Sequence, residues 1–430
     1  MRSFLWVIEM VAKTDIKFYV HTNNSAPQLN NNFGCMLNVL DAALINGIQV
    51  GTVSSLTALG RIVTAVFGTA HNLMQYQVIK IAGANQAEYN VEARILTVPN
   101  ATTITLELAT IPSVTIATGT INASLPSLGW EKPFSSVNGA GGGKGAYRST
   151  NLLLPSRPFL RVVDELDPVW TSTYAKYAKV GIVEDMTGID ALLGVQAPYD
   201  SAAQDKNWVG TGSGTAALNG WAKWYYARSS EMNTNTNDST AASAGNRSWI
   251  LVGNSDYFYI LPTTTAGSIA SATYGFGSFK TLLNTDASNV FLSATLRQAV
   301  ASLSEYKAPY TGISGTGADQ KIVLQRGYNQ AALYVDAKCV SLSPASAAVY
   351  SGSSNYIGQY SLTNISPFVP VFINETVLRG EIPNYYWLFQ DKPYNNYTVL
   401  TKGNAAYIAV TAATATNVIN GQVVLKIGDL

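Results

Sequence analysis

Charged residues are scarce in this chain. Asp, Glu, Lys and Arg make up 12% of its 430 residues, which is about half the share usual in a soluble domain. The 27 basic and 26 acidic residues leave a net charge of +1, so no basic field would attract a nucleic acid. Apolar residues form 47% of the sequence, which excludes a disordered chain. We therefore expect folded domains without a nucleic-acid partner.

Long apolar runs are missing as well. The uncharged stretches 339–374 and 403–425 are interrupted by Ser, Thr, Asn and Gly, whereas a membrane helix needs about 18 apolar residues. The first ten residues hold an apolar run too short for a secretory signal, and Met10 is an alternative to Met1 as the native start. Cys35 and Cys339 lie far apart without a C-x-x-C pattern, so neither a disulfide framework nor a zinc site is predicted.

The residue patterns of common catalytic sites are absent too. His21 and His71 are the only histidines, and neither has a second histidine at metal-ligand spacing; we expect His71 to hold a turn. A phosphate-binding loop would need glycine at Asn138 and a hydroxyl residue at Gly145. No G-x-S-x-G nucleophile motif occurs. We therefore predict that the chain is not an enzyme and has no catalytic residue, cofactor or metal site.

Most of the sequence has the pattern of β-strands. Short runs alternate apolar and polar residues or are wholly apolar, and Gly, Asn and Ser separate them. We predict a mainly β chain of several domains, built as antiparallel β sandwiches or barrels, with one short N-terminal helix. The clearest strand patterns are residues 103–108, 258–261, 368–373 and 422–427.

Two segments have helical spacing. Residues 33–46 place Leu37, Leu40 and Leu44 on one face, after a run of Asn that can cap and before Gly47. A second helix is predicted over 292–303, where Leu296 and Val300 are four residues apart.

Glycine and small polar residues predict the domain boundaries. Segments 47–60 and 138–145 are interpreted as connections, the second as a flexible linker. Three units follow: an N-terminal strand and helix segment over 1–55, a small barrel-like β module over 56–120, and a larger β-rich domain over 121–430. We expect residues 229–246, which are low in hydrophobicity, to form a long polar loop in this last unit.

Acidic and aromatic residues leave alternatives open. An acidic cluster could supply the facing carboxylates of a glycan-degrading enzyme, although salt-bridged or solvated structural acids are favoured. Two aromatic groups could stack on sugars, although core or subunit interface is favoured. The acids are Asp164, Glu165, Asp167, Glu184, Asp185 and Asp190; the aromatic groups are Trp221, Trp224, Tyr225 and Tyr226, and Tyr385, Tyr386, Trp387, Tyr394 and Tyr397.

Residues 60–108 resemble a small β module of tailed-bacteriophage structural proteins. That module has a strand, an HGL turn, a V-x-I-x-G-A strand, an A-x-Y-N-G segment and a closing strand; residues 71–73, 78–84 and 88–90 match in order. Asn72 and Val91 replace two of its glycines. Asn72 tolerates the left-handed turn conformation and Val91 does not, so the second turn is expected to differ.

The resemblance continues on both sides of this module. Residues 27–47 resemble the family's opening helix, and Asn384 stands where a glycine usually follows the proline of the last block. Seven further blocks are similar to ordered segments of virion proteins from long-tailed phages: residues 128–134, 146–148, 159–162, 186–190, 247–249, 275–279 and 378–383.

The resemblance implies a non-enzymatic structural component of the tail, baseplate or neck. We expect a homo-oligomer that contacts itself and other virion proteins, not a membrane, and that enters virions in the bacterial host cytoplasm. The alternatives are a receptor- or glycan-binding adhesin with a host surface glycan as partner, a capsid decoration protein, and a depolymerase. We expect Arg379 to pair with a carboxylate, Asp164 or Asp190 first, or with turn carbonyls. The candidate structural or interface residues are Trp130, Phe134, Asp190, Trp221, Trp224, Arg379, Tyr385, Tyr386 and Trp387.

Overall fold

The computed structural model describes residues 11–200, 202–230, 238–296, 311–314, 321–332, 335–340, 368–388, 394–413 and 420–430. Antiparallel strands dominate this part of the chain and form two open sheets and one closed barrel. The prediction of a mainly β fold with one short N-terminal helix is confirmed. No helix in these ranges is long and apolar enough to cross a membrane.

The helix predicted over 33–46 is confirmed. It begins as the α-helix α1 (Cys35–Leu40) and continues as one π-helical segment (Asp41–Asn46). Met36, Leu40 and Leu44 are buried on its apolar face. Gly47 ends it with φ 75°, and a Cβ there would lie 2.7 Å from the carbonyl oxygen of Leu125, so only glycine fits. Single 3₁₀ turns occur at Ala87–Tyr89 and Gly214–Ala216.

Six strands close into a barrel directly after the helix. Their side chains alternate, so that residues such as Ile104 and Leu106 fill the interior. The strand predicted over 103–108 is confirmed within it. The domain boundaries at 55 and 120 stay predictions. In order around the barrel the strands are β2 (Ile48–Leu59), β3 (Ile62–Phe67), β6 (Thr103–Glu107), β5 (Glu92–Asn100), β4 (Val78–Ala84) and β7 (Gly119–Leu125).

A seven-stranded antiparallel sheet follows the barrel in the described residues. Its longest strand, β11, pairs with three neighbours and is buried along most of its length. Along the sheet the strands are β19 (Thr295–Leu296), β13 (Ala222–Ala227), β11 (Lys176–Gly188), β10 (Phe159–Glu165), β9 (Gly142–Ser149) and β8 (Trp130–Ser135), with β12 (Ala191–Ala197) beside β11.

A second sheet has thirteen strands where the structure describes the chain. It curls back on itself: Tyr259 and Tyr385 lie on strands far apart in the sheet, yet their ring centroids are 5.3 Å apart. Strands predicted over 258–261, 368–373 and 422–427 are confirmed here. In order the strands are β1 (Lys17–Val20), β14 (Trp249–Gly253), β15 (Tyr257–Pro262), β16 (Tyr274–Ser278), β18 (Val290–Ser293), β20 (Lys321–Leu324), β21 (Val335–Val340), β22 (Phe368–Asn374), β23 (Leu378–Leu388), β26 (Asn420–Asp429), β25 (Ala405–Ala413) and β24 (Val399–Lys402), with β17 (Lys280–Thr281) beside β23.

The helix predicted over 292–303 is wrong where the structure describes it. Leu292 lies in β18, between Phe276 of β16 and Val323 of β20, and Leu296 lies in β19. Phe291 and Leu292 are both fully buried, because this strand is covered on both faces. Such a strand loses the alternation that distinguishes it from a buried helix. Residues 297–303 lie outside the described residues.

The two glycine-rich connections are also wrong as linkers. Residues 48–59 form β2, and 142–149 form β9 after a tight turn in which Gly139 pairs with Gly142. Gly142 has φ 87°, and a Cβ there would meet the carbonyl oxygen of Asp164 at 1.9 Å. These glycines permit a close approach of two strands. The high glycine content therefore indicates close strand packing here, not a flexible linker.

Part of the predicted polar loop over 229–246 is buried. Asp238 and Ala242 are both less than 10% exposed, and the Asp238 carboxylate accepts hydrogen bonds from Arg228 at 2.9 Å and from the hydroxyl of Tyr225 at 2.6 Å. The buried Arg228 needs acceptors for its N–H groups, and Asp238 supplies one, which composition alone does not reveal. Residues 231–237 lie outside the described residues.

Arg94 joins the barrel to the large sheet. It lies on β5, is 2% exposed, and donates all five of its N–H bonds to backbone carbonyls. Two bonds go to Lys13, at 2.9 and 2.5 Å, and one each to Ile16 at 3.1 Å, Tyr76 at 2.7 Å and Ile427 of β26 at 2.8 Å. Burial lowers the pKa of Arg94 to about 10. The planar five-donor fork suits this set of acceptors, and a lysine ammonium cannot reach them all.

We expect Arg94→Lys to lower the free energy of unfolding by roughly 3 kcal/mol, because buried carbonyls lose their donors. Urea unfolding followed by tryptophan fluorescence measures this change. Arg148→Lys is the matched control, since Arg148 is partly exposed and pairs with Glu131 at 2.7 Å; exposed pairs contribute little. Equal unfolding midpoints for the two variants would contradict the assignment.

Candidate functional site

Trp130 and Trp224 lie in the core between the two sheets. Both rings meet Phe258 of β15 edge to face, with centroids 5.3 and 6.1 Å away. The Trp224 ring also stacks on Tyr274 at 5.7 Å. Each indole N–H donates to a buried carbonyl oxygen, Trp130 to Asn254 at 2.8 Å and Trp224 to Ser293 at 2.9 Å. These two residues therefore join the sheets and are not available to a ligand.

The aromatic group on β23 divides between the two faces of its strand. Tyr385 and Trp387 point into the interior of the curled sheet, and the Trp387 indole donates to the carbonyl of Ile313 at 2.8 Å. Tyr386 points the other way, where its ring packs beside Phe368 and Tyr407. This alternation follows from strand geometry. Phe134, partly buried on β8, packs on Phe159 at 5.8 Å.

Arg379 is fully buried and binds two carboxylates. Its guanidinium donates to both oxygens of Asp286, at 2.9 and 3.0 Å, and to Glu375 at 3.0 Å. It also donates to the carbonyls of Arg326 and Ser288. The expectation that Arg379 pairs with a carboxylate and turn carbonyls is confirmed. The expected partners Asp164 and Asp190 are wrong, because both belong to the other sheet and have partners there.

Most of the acidic cluster is salt-bridged, as favoured from the sequence. Asp167 pairs with Lys179 at 2.7 Å, and both are buried. Glu184 pairs with Arg326 at 2.6 Å, Glu165 lies 3.5 Å from Lys144, and the exposed Asp185 accepts a hydrogen bond from a backbone N–H at 2.8 Å.

Asp190 lies at a cavity of about 290 Å³ that is lined by ion pairs. It pairs with Lys144 at 2.9 Å and Arg161 at 2.5 Å, and the Arg161 guanidinium lies over the ring of Trp208 at 4.4 Å. Burial alone would raise the pKa of Asp190, but the hydrogen bonds and charges of these two cations lower it below its ordinary value. A general acid for glycoside hydrolysis needs the opposite shift.

Asp164 is a buried acid whose role the sequence did not reveal. Its carboxylate accepts a hydrogen bond from the backbone N–H of Met36 in α1 at 2.9 Å, and another from the hydroxyl of Tyr226 at 2.6 Å. Burial raises its pKa to about 6, although the hydrogen bonds from Tyr226 and from the backbone oppose this shift. Asp164 therefore fixes the helix against β10 and β13. No group of three metal-ligating side chains occurs in the ranges described above.

One end of the barrel carries exposed apolar side chains. Leu59 and Ile62 face each other across the β2–β3 turn, and Ile116 pairs with Thr57 on the side of β2 opposite β3. Directly paired residues point to the same face of a sheet, so Leu59, Ile62 and Ile116 lie together. Leu59 is 88% exposed and Ile116 is 60% exposed. We name this surface, formed by Leu59, Ile62 and Ile116, the barrel-end patch.

His71 holds the turn that the sequence predicted for it. Its Nδ1 accepts a hydrogen bond from the backbone N–H of Leu73 at 2.9 Å, and its Nε2 lies 3.2 Å from the carbonyl oxygen of Asn100. Asn72 adopts φ 50°, the left-handed conformation expected where the related module has glycine. Asn384 does the same at φ 56°.

Comparisons with known proteins assign no family. No protein-family model matches the chain, and no curated protein sequence is similar to it. Among solved structures it is similar to the Phage phi92 endosialidase, with 8% sequence identity and a TM-score of 0.15. That alignment covers 89% of this chain and 51% of the other, so the chain spans about half the length of that protein. A TM-score this low carries no argument about fold or function.

The raised pKa of Asp164 predicts a pH dependence. Between its ordinary value of 3.8 and about 6, the folded state keeps a proton that the unfolded state releases, so stability falls as the pH rises through this window. Because an asparagine side chain does not titrate in this window, Asp164→Asn removes this loss of stability. We expect the free energy of unfolding of this variant, relative to the natural protein, to increase by about 2 kcal/mol from pH 4 to pH 7.

Urea unfolding at several pH values measures this difference. Asp185→Asn is the matched control, because Asp185 is an exposed carboxylate on the adjacent strand. A difference for Asp164→Asn that is the same at pH 4 and pH 7 would show that the folded state does not hold this proton.

Proposed function

We propose that this chain is a non-enzymatic structural component of a tailed bacteriophage particle, located in the tail, baseplate or neck, where it assembles with copies of itself and with other virion proteins. The observation that carries the proposal is the barrel-end patch, which exposes aliphatic side chains on the module that resembles phage structural proteins. Contiguous exposed apolar groups mark interaction surfaces. The composition does not favour an interaction surface built from charges of one sign, because the net charge is +1.

The barrel favours assembly through surface side chains and disfavours pairing with a strand of another chain. Its six strands close on themselves, so the barrel presents no free sheet edge to another chain. A contact made by this module must therefore use its surface side chains. Among these, Leu59 is the most exposed member of the barrel-end patch, and its burial on association would be favourable by roughly 1.5–3 kcal/mol.

The sequence blocks shared with phage virion proteins occupy positions that hold the fold together. Trp130 joins the two sheets, and Asp190 forms ion pairs with Lys144 and Arg161. In the last block, Arg379 is buried with Asp286, and a Cβ on Gly380 would lie 2.5 Å from the Phe279 ring. The resemblance therefore lies in residues that stabilise the fold, as we expect for a structural building block.

Labelled antibody imaged on intact virions of the phage that encodes this chain tests the location. We expect regular labelling at the tail, baseplate or neck. Labelling in high copy over the head would favour a capsid decoration protein, and unlabelled virions would contradict the proposal.

We expect the double variant Leu59→Glu/Ile116→Glu to weaken self-association at least tenfold, because two charges would have to be buried at the contact. Sedimentation velocity across a concentration series measures this effect. Leu153→Glu is the matched control, since Leu153 is 92% exposed but lies outside the barrel-end patch. Equal association of both variants would show that the patch is not the contact.

A further inference from the structure

A second surface feature lies on the seven-stranded sheet, away from the barrel-end patch. The segments before and after the 3₁₀ turn at Gly214–Ala216 enclose a cavity of about 560 Å³, within the range of about 300–1,000 Å³ that is typical of small-ligand sites. Its lining includes Gln204, Asp205, Lys206, Thr211, Asn219 and Trp221.

The walls of this cavity are fixed by buried hydrogen bonds. Asn207 is 1% exposed; its amide donates to the carbonyl of Val180 on β11 at 2.8 Å and accepts from the backbone N–H groups of Trp221 and Ala222, at 2.7 and 2.9 Å. Thr211 and Leu218 exchange two backbone hydrogen bonds of 2.8 Å. Trp221 therefore has a defined position, and a ligand would not have to order the site.

Trp221 supplies a partly exposed aromatic ring to the cavity. The ammonium of Lys206 lies 5.2 Å from the centroid of this ring and is held by the carboxylate of Asp200 at 3.0 Å. The lysine charge is thus already paired. An aromatic ring of this kind gives a flat apolar contact for the C–H face of a sugar or for another planar group.

Polar groups around Trp221 have hydrogen-bonding capacity that the described protein does not use. The side chains of Asp205, Gln204 and Thr211 are exposed and make no hydrogen bond to another described residue. Asn219 is 1% exposed; its Oδ1 accepts from Lys223 at 3.0 Å, while its Nδ2 has no partner among the described residues. Donors and acceptors thus surround one aromatic ring.

We propose that this cavity binds a neutral saccharide, with one sugar face on Trp221 and hydroxyl groups donating to Asp205. A carboxylate accepts two hydroxyl hydrogens and makes strong charge-assisted bonds to them. Asp205, which makes no described side-chain hydrogen bond, and the paired Lys206 leave the site without a free cation, which disfavours a phosphate, a nucleic acid or an acidic sugar. The proposal concerns the chain alone and does not depend on its role in assembly.

Saturation-transfer NMR with glucose, galactose and N-acetylglucosamine tests this site, with N-acetylneuraminic acid as the anionic comparison. We expect transfer to at least one neutral sugar. Trp221→Leu and Asp205→Ala should each weaken the affinity for that sugar at least tenfold. Tyr328→Leu is the matched control, because Tyr328 is a partly exposed aromatic residue outside the cavity, and it should bind like the natural protein.

Asp205→Ala keeps the test informative if Trp221→Leu does not fold, because the Asp205 side chain is exposed and makes no described hydrogen bond. Loss of binding in the two cavity variants, with binding retained in Tyr328→Leu, supports the site. The proposal is overturned if no neutral sugar shows transfer, if only N-acetylneuraminic acid does, or if binding is unchanged in Asp205→Ala.

Discussion

Buried arginine guanidiniums fix distant parts of this chain against one another. Arg94 connects the barrel to β26 and to the segment before β1 through backbone carbonyls alone. Arg379 connects the β22–β23 turn to the loop before β18 through Asp286. A buried charge is tolerated only when its hydrogen bonds are made. Each of these contacts therefore holds its two segments in one relative position.

The burial of charged side chains lowers the number of charged groups on the outer surface. Within the described ranges, twelve of the charged side chains are buried, in a sequence where only 12% of residues are charged. Contacts with other molecules must then depend on apolar and neutral polar groups. The barrel-end patch is apolar, and the cavity beside Trp221 combines an aromatic ring and neutral polar groups with the Asp205 carboxylate. The buried charged residues are Arg94, Arg161, Asp164, Asp167, Lys176, Lys179, Lys223, Arg228, Asp238, Arg247, Asp286 and Arg379.

Local sequence patterns predicted the helix and strands that have one buried face. They missed the features that depend on contacts between residues far apart in the chain. The helix over 33–46 and the strand over 103–108 could be predicted, because each shows its buried side as a repeat. Leu292 was assigned to a helix because both faces of its strand are covered. Arg379 could be expected to bind a carboxylate, but its partner Asp286 lies 93 residues away. The cavity at Trp221 likewise requires the fold of residues 203–221, which spacing does not encode.

We propose that this protein belongs to a virion and is held there by apolar contacts. Purified particles washed in about 1 M sodium chloride, where the Debye length is about 3 Å, test it most directly when the retained protein is quantified by mass spectrometry. Salt at this strength weakens exposed ion pairs and does not weaken buried apolar contacts. We expect the protein to stay on the particles in salt and to leave them in denaturant. Release by salt alone, or absence from the particles, would contradict it.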